Sequence, residues 1–535
     1  MTTELLDCTL RDGAYINGAK FGQAALKGII KHLQDASVEI IECGWLKNSP
    51  HESGSSYFHT PDDLKPYIIE KKPSIVYVAM IDFDRYDTSA LPYCDGKTID
   101  AVRVVFPKGK HTEGFAVAEK IRQKGYKIFI QAANTLAYSD EDLKKLAEAA
   151  NAFKPAAVSI VDTFGAMYDE DLLRIFNCLD RELDKDIKIG FHAHNNQQLA
   201  FSLSTVFIKT AEKSGRNIII DSTLCGMGRG AGNATTELLT GFLNRKYRKN
   251  YDMDEILDAI DVYMTGFQEK YEWGYSTPYF IAGLYQCHVN NIAYLKKNHR
   301  TNSKDMRNII ASLSEEERRH YDYDLLEKRY IENQNRIVDD TESVKFLKKT
   351  FSGRKILLLA PGKSITDEKA KITEFIGREK PVVIAVNAIH KDYDCDFVCF
   401  INSVRYAYAR EAYKSRFEKY PKILLSNIKT SADKNETVVN FNKAVKRGWK
   451  HFDNAVICVL RLLDKLDVRD IAVAGFDGFK TSYNESYADS SLPTLNPDND
   501  WDGLNAEIKD MFLDFRESVK DKMKIEFITE SIFNV

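Results

Sequence analysis

Phe191-His192-Ala193-His194-Asn195-Asn196 ends a β-rich run that begins at Ile187. Residues two apart on a strand face the same way, so a His-x-His pair at a strand end aims two imidazoles at one point, where a divalent cation can sit. A carboxylate would complete such a site, and Asp12 supplies one behind the apolar run Leu5 to Leu10. Two neutral nitrogens and one anionic oxygen leave a cation with open positions, as Lewis-acid chemistry requires.

Seven more β-rich runs share the N-terminal half with Ile187 to His192. They are Leu5 to Leu10, Val38 to Cys43, Ile75 to Ile81, Ala101 to Phe106, Lys127 to Ala132, Ala157 to Val161 and Ile218 to Ser222. Amphipathic segments such as Ala24 to Leu33 and Asp140 to Ala149 separate them, each long enough for a crossover helix. Eight β/α units over residues 1–240 predict an α/β fold, a closed (β/α)8 TIM barrel with its site at the C-terminal ends of the strands. The polar residues fall at those ends: Arg11 and Asp12, Glu42 and Trp45, Asp82, Gln131 and Asn134, Asp162 and Thr163, the histidine pair, and the loop Gly226 to Asn233.

A chain of 535 residues exceeds one ordinary core. Residues 241–300 lack the alternation and predict a helical appendage, and the charged stretch 301–350, with its capping-box spacing at Ser314 to Glu317, predicts a helical linker. From 351 to 535 a second alternation predicts an open, doubly wound, Rossmann-like α/β domain, with strands at Lys355 to Leu359, Val382 to Val386, Phe397 to Phe400, Lys422 to Leu425, Ile471 to Ala474 and near Phe527. With 75 basic against 78 acidic residues there is no electrostatic footprint for nucleic acid or a membrane surface. The absence of a leader pattern or long apolar segment, and nine cysteines mostly within apolar runs, lead us to expect a cytoplasmic protein with reduced thiols.

Leu6-Asp7-Cys8-Thr9-Leu10-Arg11-Asp12-Gly13 resembles the opening of the metal-dependent pyruvate aldolases and acyl-CoA lyases of the hydroxymethylglutaryl-CoA lyase-like barrel superfamily. Phe191 to Asn195 and Gly228-Arg229-Gly230-Ala231-Gly232-Asn233-Ala234 resemble two further signatures of that group, in the same order. The resemblance covers about residues 1–300 and is nearest to 4-hydroxy-2-oxovalerate aldolases, with Val161 to Met167 as added support. It implies a carbon–carbon lyase with Mn2+, Mg2+ or Co2+ held by Asp12, His192 and His194, and Asn233 at a position that gives a fourth ligand in the acyl-CoA lyase branch. Arg11, Tyr15 and Asp162 are the implied catalytic residues, joined by Tyr275, because the family offers a tyrosine from the appended region as proton donor. A homodimer formed through the appended helices is a further expectation from the family.

A 2-oxo acid can chelate such an ion, and breaking its C3–C4 bond leaves pyruvate's enolate, whose charge Arg11 would hold. Cleavage to an aldehyde also needs a base at the C4 hydroxyl. The family places a histidine shortly after the Arg-Asp pair, and here that position is Tyr15. Tyrosine, with a reference pKa of about 10, is a poor base near neutrality unless strongly perturbed. The role falls to a depressed Tyr15, to metal-bound hydroxide, or to another residue such as His51 or His59. The departure predicts a substrate unlike hydroxyoxovalerate.

Ala360 to Ser364, Val386-Asn387 and Ala474 to Gly478, followed by Tyr483 and Tyr487, resemble the nucleotide-binding fold of bacterial sialyltransferase-like and archaeal pterin-pyrophosphokinase-like proteins. By that resemblance Gly362, Ser364, Asn387, Tyr483 and Tyr487 meet nucleotide phosphate and ribose. The combined expectation is a class II aldolase acting on a 4-hydroxy-2-oxo acid or its aldehyde, fused to a domain for a nucleotide-activated sugar or polyol, as surface-polysaccharide biosynthesis would use. Two rivals stay open: a Claisen-type acyl-CoA lyase or 2-oxo-acid acyltransferase, and a glycosyltransferase-like protein with a non-catalytic barrel.

Overall fold

Isoleucine- and valine-rich runs form the strands of two parallel sheets. The computed structural model describes residues 1–298, 301–429, 435–449, 454–480, 485–493 and 500–534. The chain divides into a first unit, Met1–Val289 with Arg318–His320, and a second, Asn290–Glu317 with Tyr321–Val535.

In the first unit the barrel strands are β1 (Thr3–Asp7), β2 (Ile40–Leu46), β3 (Val76–Asp82), β4 (Ala101–Phe106), β5 (Lys127–Ala132), β6 (Ala157–Asp162), β7 (Lys188–Ala193) and β8 (Ile218–Ser222). β1 closes the barrel by pairing with both neighbours, Leu5 opposite Ile220 and Leu6 opposite Ile40. The crossover helices bury one stripe each. Asp140–Phe153, for example, starts at a Ser139/Asp142 capping box and buries Leu143, Leu146, Ala147 and Ala150, the i, i+3, i+4, i+7 pattern of a helix lying on a sheet. Each large apolar side chain so buried contributes about 1.5–3 kcal/mol.

The first strand is shorter than the apolar run Leu5 to Leu10 predicts. Asp7 accepts the Thr9 N–H at 2.9 Å, and the chain turns into a short helix, Thr9–Asp12. Leu10 is apolar because that turn is buried, 1% exposed, and not because the strand continues. Helices Met253–Ala259, Thr265–Lys270 and Thr277–Leu284 belong to the first unit, with a π-helical turn, Ile260–Met264, joining the first two.

The stretch 301–350 supplies helices Ser303–Ala311, Tyr323–Gln334 and most of Thr341–Phe351, all in the second unit. Its sheet comprises β9 (Ile356–Leu359), β10 (Val382–Val386), β11 (Phe397–Phe400), β12 (Lys422–Leu425), β13 (Glu436–Val439), β14 (Asp470–Ala474) and β15 (Lys524–Phe527), in the order β13-β12-β11-β10-β9-β14-β15. Ile356 and Leu358 pack into one apolar cluster and Leu357 and Leu359 into another. Both faces are therefore covered, which is why such strands are apolar throughout. No helix among the described residues is long and apolar enough to cross a membrane, and no disulfide joins the nine cysteines.

Asp7 also accepts the Thr236 hydroxyl at 2.6 Å, and burial pushes its pKa from 3.8 up to about 6. A carboxyl raised in the folded state favours folding most below its unfolded pKa, and that contribution, about 3 kcal/mol, disappears as pH rises through 6. Asp7→Asn should keep the acceptor for Thr9 and flatten the dependence of urea-unfolding free energy on pH between 4 and 7. An unchanged slope would contradict this role.

Candidate active site

The turn that Asp7 starts is held by Arg11 and Asp12 N–H groups donating to the Cys8 carbonyl. It brings Asp12 to the histidines at the end of β7. His192 and His194 present their Nε2 atoms 3.5 and 3.7 Å from Asp12 Oδ2, with ring centroids 4.9 Å apart and planes at 89°. The opposite nitrogens are taken. His192 Nδ1 lies 3.0 Å from Asp221 Oδ2, and His194 Nδ1 lies 2.9 Å from the Asp162 carbonyl oxygen. Such partners fix ring orientation and leave Nε2 for a ligand.

The glycine-rich loop packs against this group. A Cβ on Gly228 would sit 2.1 Å from Asn233 Nδ2 and 3.5 Å from Asp12 Oδ2, so only glycine fits there. Asn195 N–H donates to Gly232 O and Ala231 N–H to Asn196 Oδ1, both at 2.8 Å. The three stretches that carry the resemblance thus form one interlocked cluster.

Behind it runs a buried chain of charges. Arg11 Nη1 is 2.9 Å from Asp12 Oδ1, and Arg11 Nε and Arg103 Nη1 each donate to Glu42 Oε2 at 2.9 Å. Arg103 also pairs with Asp221, the partner of His192. Asp12, Glu42 and Asp221 against Arg11 and Arg103 leave a net charge of about −1 with neutral imidazoles. Burial works to raise the Asp12 pKa, but Arg11 and the two imidazoles outweigh it and hold the carboxyl well below the usual range. Burial lowers His194 to about 4. For His192 burial also acts downward, yet the Asp12 and Asp221 carboxylates prevail and raise it.

Among the described residues, both Asp12 carboxylate oxygens and Asn233 Oδ1 are buried without a hydrogen-bond donor; the Arg11 contact to Asp12 is an ion pair outside hydrogen-bond geometry. Three unsatisfied oxygens beside two imidazole lone pairs, in a pocket of net negative charge, fit a divalent cation. Ligand atoms of Asp12, His192 and His194 lie within 4.8 Å of one another. Cys8, His192 and Asp221 also cluster. There, however, the thiol donates to the Ser222 carbonyl and Arg103 neutralises Asp221, so that group holds His192 in place.

The remaining predicted residues take different places. Asp162 accepts N–H groups from Ala166 at 2.9 Å and Met167 at 3.1 Å; its side chain shapes its own loop while its carbonyl holds His194. The Arg229 guanidinium lies 3.8 Å from the Tyr15 ring centroid and reaches His288 Nε2 at 3.2 Å. Although Tyr15 is 41% exposed, desolvation around its hydroxyl pushes the phenol up to about 12 against the pull of Arg229 and Arg11, so in the protein by itself Tyr15 is not a depressed phenol. His51 has both nitrogens engaged, by the Tyr57 carbonyl and the Tyr67 hydroxyl, and His59 Nδ1 lies 3.1 Å from the Lys47 carbonyl oxygen. Tyr275 is 63% exposed in the turn before Thr277–Leu284.

Arg103, Asp221 and Arg229 received no role from sequence alone. The first two are lone charges inside otherwise apolar barrel strands, Ala101-Val102-Arg103-Val104 and Ile219-Ile220-Asp221, and that anomaly was the available signal. Arg229 stands between two glycines of the loop motif.

Residues 111–262 match the family model described as HMGL-like. The chain is similar to that family over this stretch. It is 26% identical over 266 residues to an oxaloacetate decarboxylase from Mycobacterium tuberculosis, covering 49% of this chain and 76% of that protein. A 4-hydroxy-2-oxovalerate aldolase from Geobacillus genomosp. 3 is 24% identical over 263 residues, covering 48% of this chain and 75% of the relative. Another, aldolase 2 of that name from Salinispora arenicola, is 29% identical over 267 residues, covering 48% and 73%.

If Asp221 orients His192 for a cation, Asp221→Asn should weaken Mn2+ binding about 10- to 100-fold, as read by isothermal titration, while far-ultraviolet circular dichroism stays as in the parent. Undiminished affinity would remove Asp221 from the account.

Proposed function

We propose that the barrel breaks, or in reverse forms, the C3–C4 bond of a 2-oxo acid, with pyruvate as the three-carbon partner. It is a carbon–carbon lyase. The observation that carries this reading is the Asp12, His192 and His194 cluster with its unsatisfied oxygens and Arg11 alongside. The HMGL-like match and the oxo-acid enzymes among its relatives support it.

Asp12, His192, His194 and Asn233 would hold Mn2+, Mg2+ or Co2+, which when bound supplies Lewis acidity toward a keto oxygen. Arg11 is always protonated, and Glu42 and Asp12 fix its plane, so it offers preorganised positive charge to the oxygen on which negative charge develops. Its position costs no rearrangement during the reaction. Tyr15, a neutral phenol, serves as a proton donor to the carbon left by the departing group. Asp162 and Asp221 orient the two histidines. Tyr275 receives no role in this scheme.

Two departures from the bond are compatible with these residues. An aldehyde leaves only if a base takes the C4 hydroxyl proton, whereas carbon dioxide leaves a 4-carboxyl group without that base. Tyrosine at position 15, protonated near neutrality, favours the second reading, an oxaloacetate-type decarboxylation. The second unit we assign to a nucleotide-activated sugar or polyol, in keeping with a role in surface-polysaccharide biosynthesis. Its support is a cleft at the point where its sheet changes winding direction.

Pyruvate release from oxaloacetate and from a series of 4-hydroxy-2-oxo acids, followed with lactate dehydrogenase in the presence of Mn2+, tests the barrel reading. We expect release from at least one substrate, lowered at least about 100-fold in Asp12→Asn and His192→Ala. Turnover of acetyl-CoA or another CoA ester without any pyruvate release would instead favour the Claisen-type rival.

A further inference from the structure

The second sheet changes winding direction between β9 and β14. In open parallel sheets the crevice beyond the strand ends at such a point is where ligands bind. A cleft lies there, lined by Gly362 after β9, Asn387 after β10, Arg405 after β11, Asn427 after β12 and Asp477 after β14.

The small-residue turn is already occupied by the protein's own contacts. Ser364 N–H donates to Asp477 Oδ2 at 2.7 Å, and Ser364 Oγ bonds both Asp477 and, at 2.8 Å, Thr529. Gly362 N–H donates to the Gly475 carbonyl at 2.9 Å, and a Cβ on Gly362 would lie 2.6 Å from Asp477 Oδ2. A phosphate at this turn would face a carboxylate. Asn387, with φ of 52°, spends its side-chain oxygen on the Ile401 N–H at 2.8 Å. Tyr483 lies outside the described residues.

Arg405 is differently placed. It is 6% exposed, and among the described residues its Nη1 is buried without a hydrogen-bond partner. The guanidinium lies 4.8 Å from the Tyr487 ring centroid, and no carboxylate among the described residues pairs with it. It rides on the first turn of helix Ser403–Ala412, where Asn402 caps its own N–H and the helix field favours an anion. A buried cation without a counter-charge is costly and points to an anionic ligand. Asn427 completes the pattern. Its Nδ2 donates to the Ile401 carbonyl at 3.0 Å, while its Oδ1 is buried with no donor among the described residues. The occupant must offer an anion to Arg405, an N–H or O–H to Asn427, and a flat or apolar body to Tyr487 and Phe479.

We propose that this cleft binds a nucleoside phosphate, with the phosphate on Arg405 and a base or ribose donor on Asn427. The inference rests on the nucleotide reading of the second unit and moves its charge-recognising residue from the Gly362–Ser364 turn to Arg405.

Isothermal titration of the full chain with CMP, UMP, AMP and GMP, and with the four matching nucleosides, tests it. At least one nucleotide should bind 10-fold or more tightly than its nucleoside. Arg405→Met should abolish that phosphate advantage, Arg405→Lys should retain part of it, and Asn427→Ala should weaken nucleotide and nucleoside alike. Pyruvate release by the barrel, unchanged in these variants, reports that the chain is intact, and if the Met variant does not fold the Lys variant decides. A wild-type chain that binds no nucleotide overturns both this inference and the reading beneath it. A phosphate advantage undiminished by Arg405→Met and Arg405→Lys overturns the Arg405 assignment alone.

Discussion

Every part of the barrel site leans on the ion chain from Arg11 through Glu42 and Arg103 to Asp221. Removing one member of a buried pair leaves a stranded charge at a cost of about 3–5 kcal/mol, so these four residues constrain one another tightly. Asp12 is joined to the chain through Arg11 and His192 through Asp221. Asp12 and His192 arrive from the turn after β1 and from β7, yet their relative position is set by charges carried on β2, β4 and β8. A closed barrel makes this geometry available, because inward-facing residues of strands that are not neighbours meet across its interior.

That arrangement also explains the unsatisfied oxygens. Asp12 has an imidazole on each side and an arginine behind, but among the described residues no hydrogen-bond donor reaches either of its oxygens. A structural carboxylate would be expected to recruit backbone N–H groups, as Asp162 does in the same barrel. The contrast separates a residue that shapes a loop from one whose oxygens stay unsatisfied.

Legibility in the sequence followed local period and residue type. Eight barrel strands could be placed because each is a short β-branched run, and the histidine pair because a period of two puts His192 and His194 on one face. Arg103 and Asp221 were opaque: a charge within an apolar strand makes sense only when its partner, 118 positions away, is known. The turn at Thr9 was hidden by Leu10, whose burial comes from tertiary packing. In the second unit the edge strand Glu436–Val439 went unseen because it is only partly buried, and Ser364 looked available because Asp477, which binds it, lies 113 residues away. The glycine-rich loop motif was visible, whereas the contact of its Arg229 with Tyr15 was not.

The central claim is that Asp12, His192 and His194 hold a divalent cation that makes the carbon next to a keto group acidic. Exchange of the pyruvate methyl protons in D2O, followed by proton NMR, addresses it without knowledge of the departing group. The account predicts exchange that requires added Mn2+ or Mg2+ and disappears in His192→Ala. Exchange absent with every cation tried, or equally fast in His192→Ala, would contradict it.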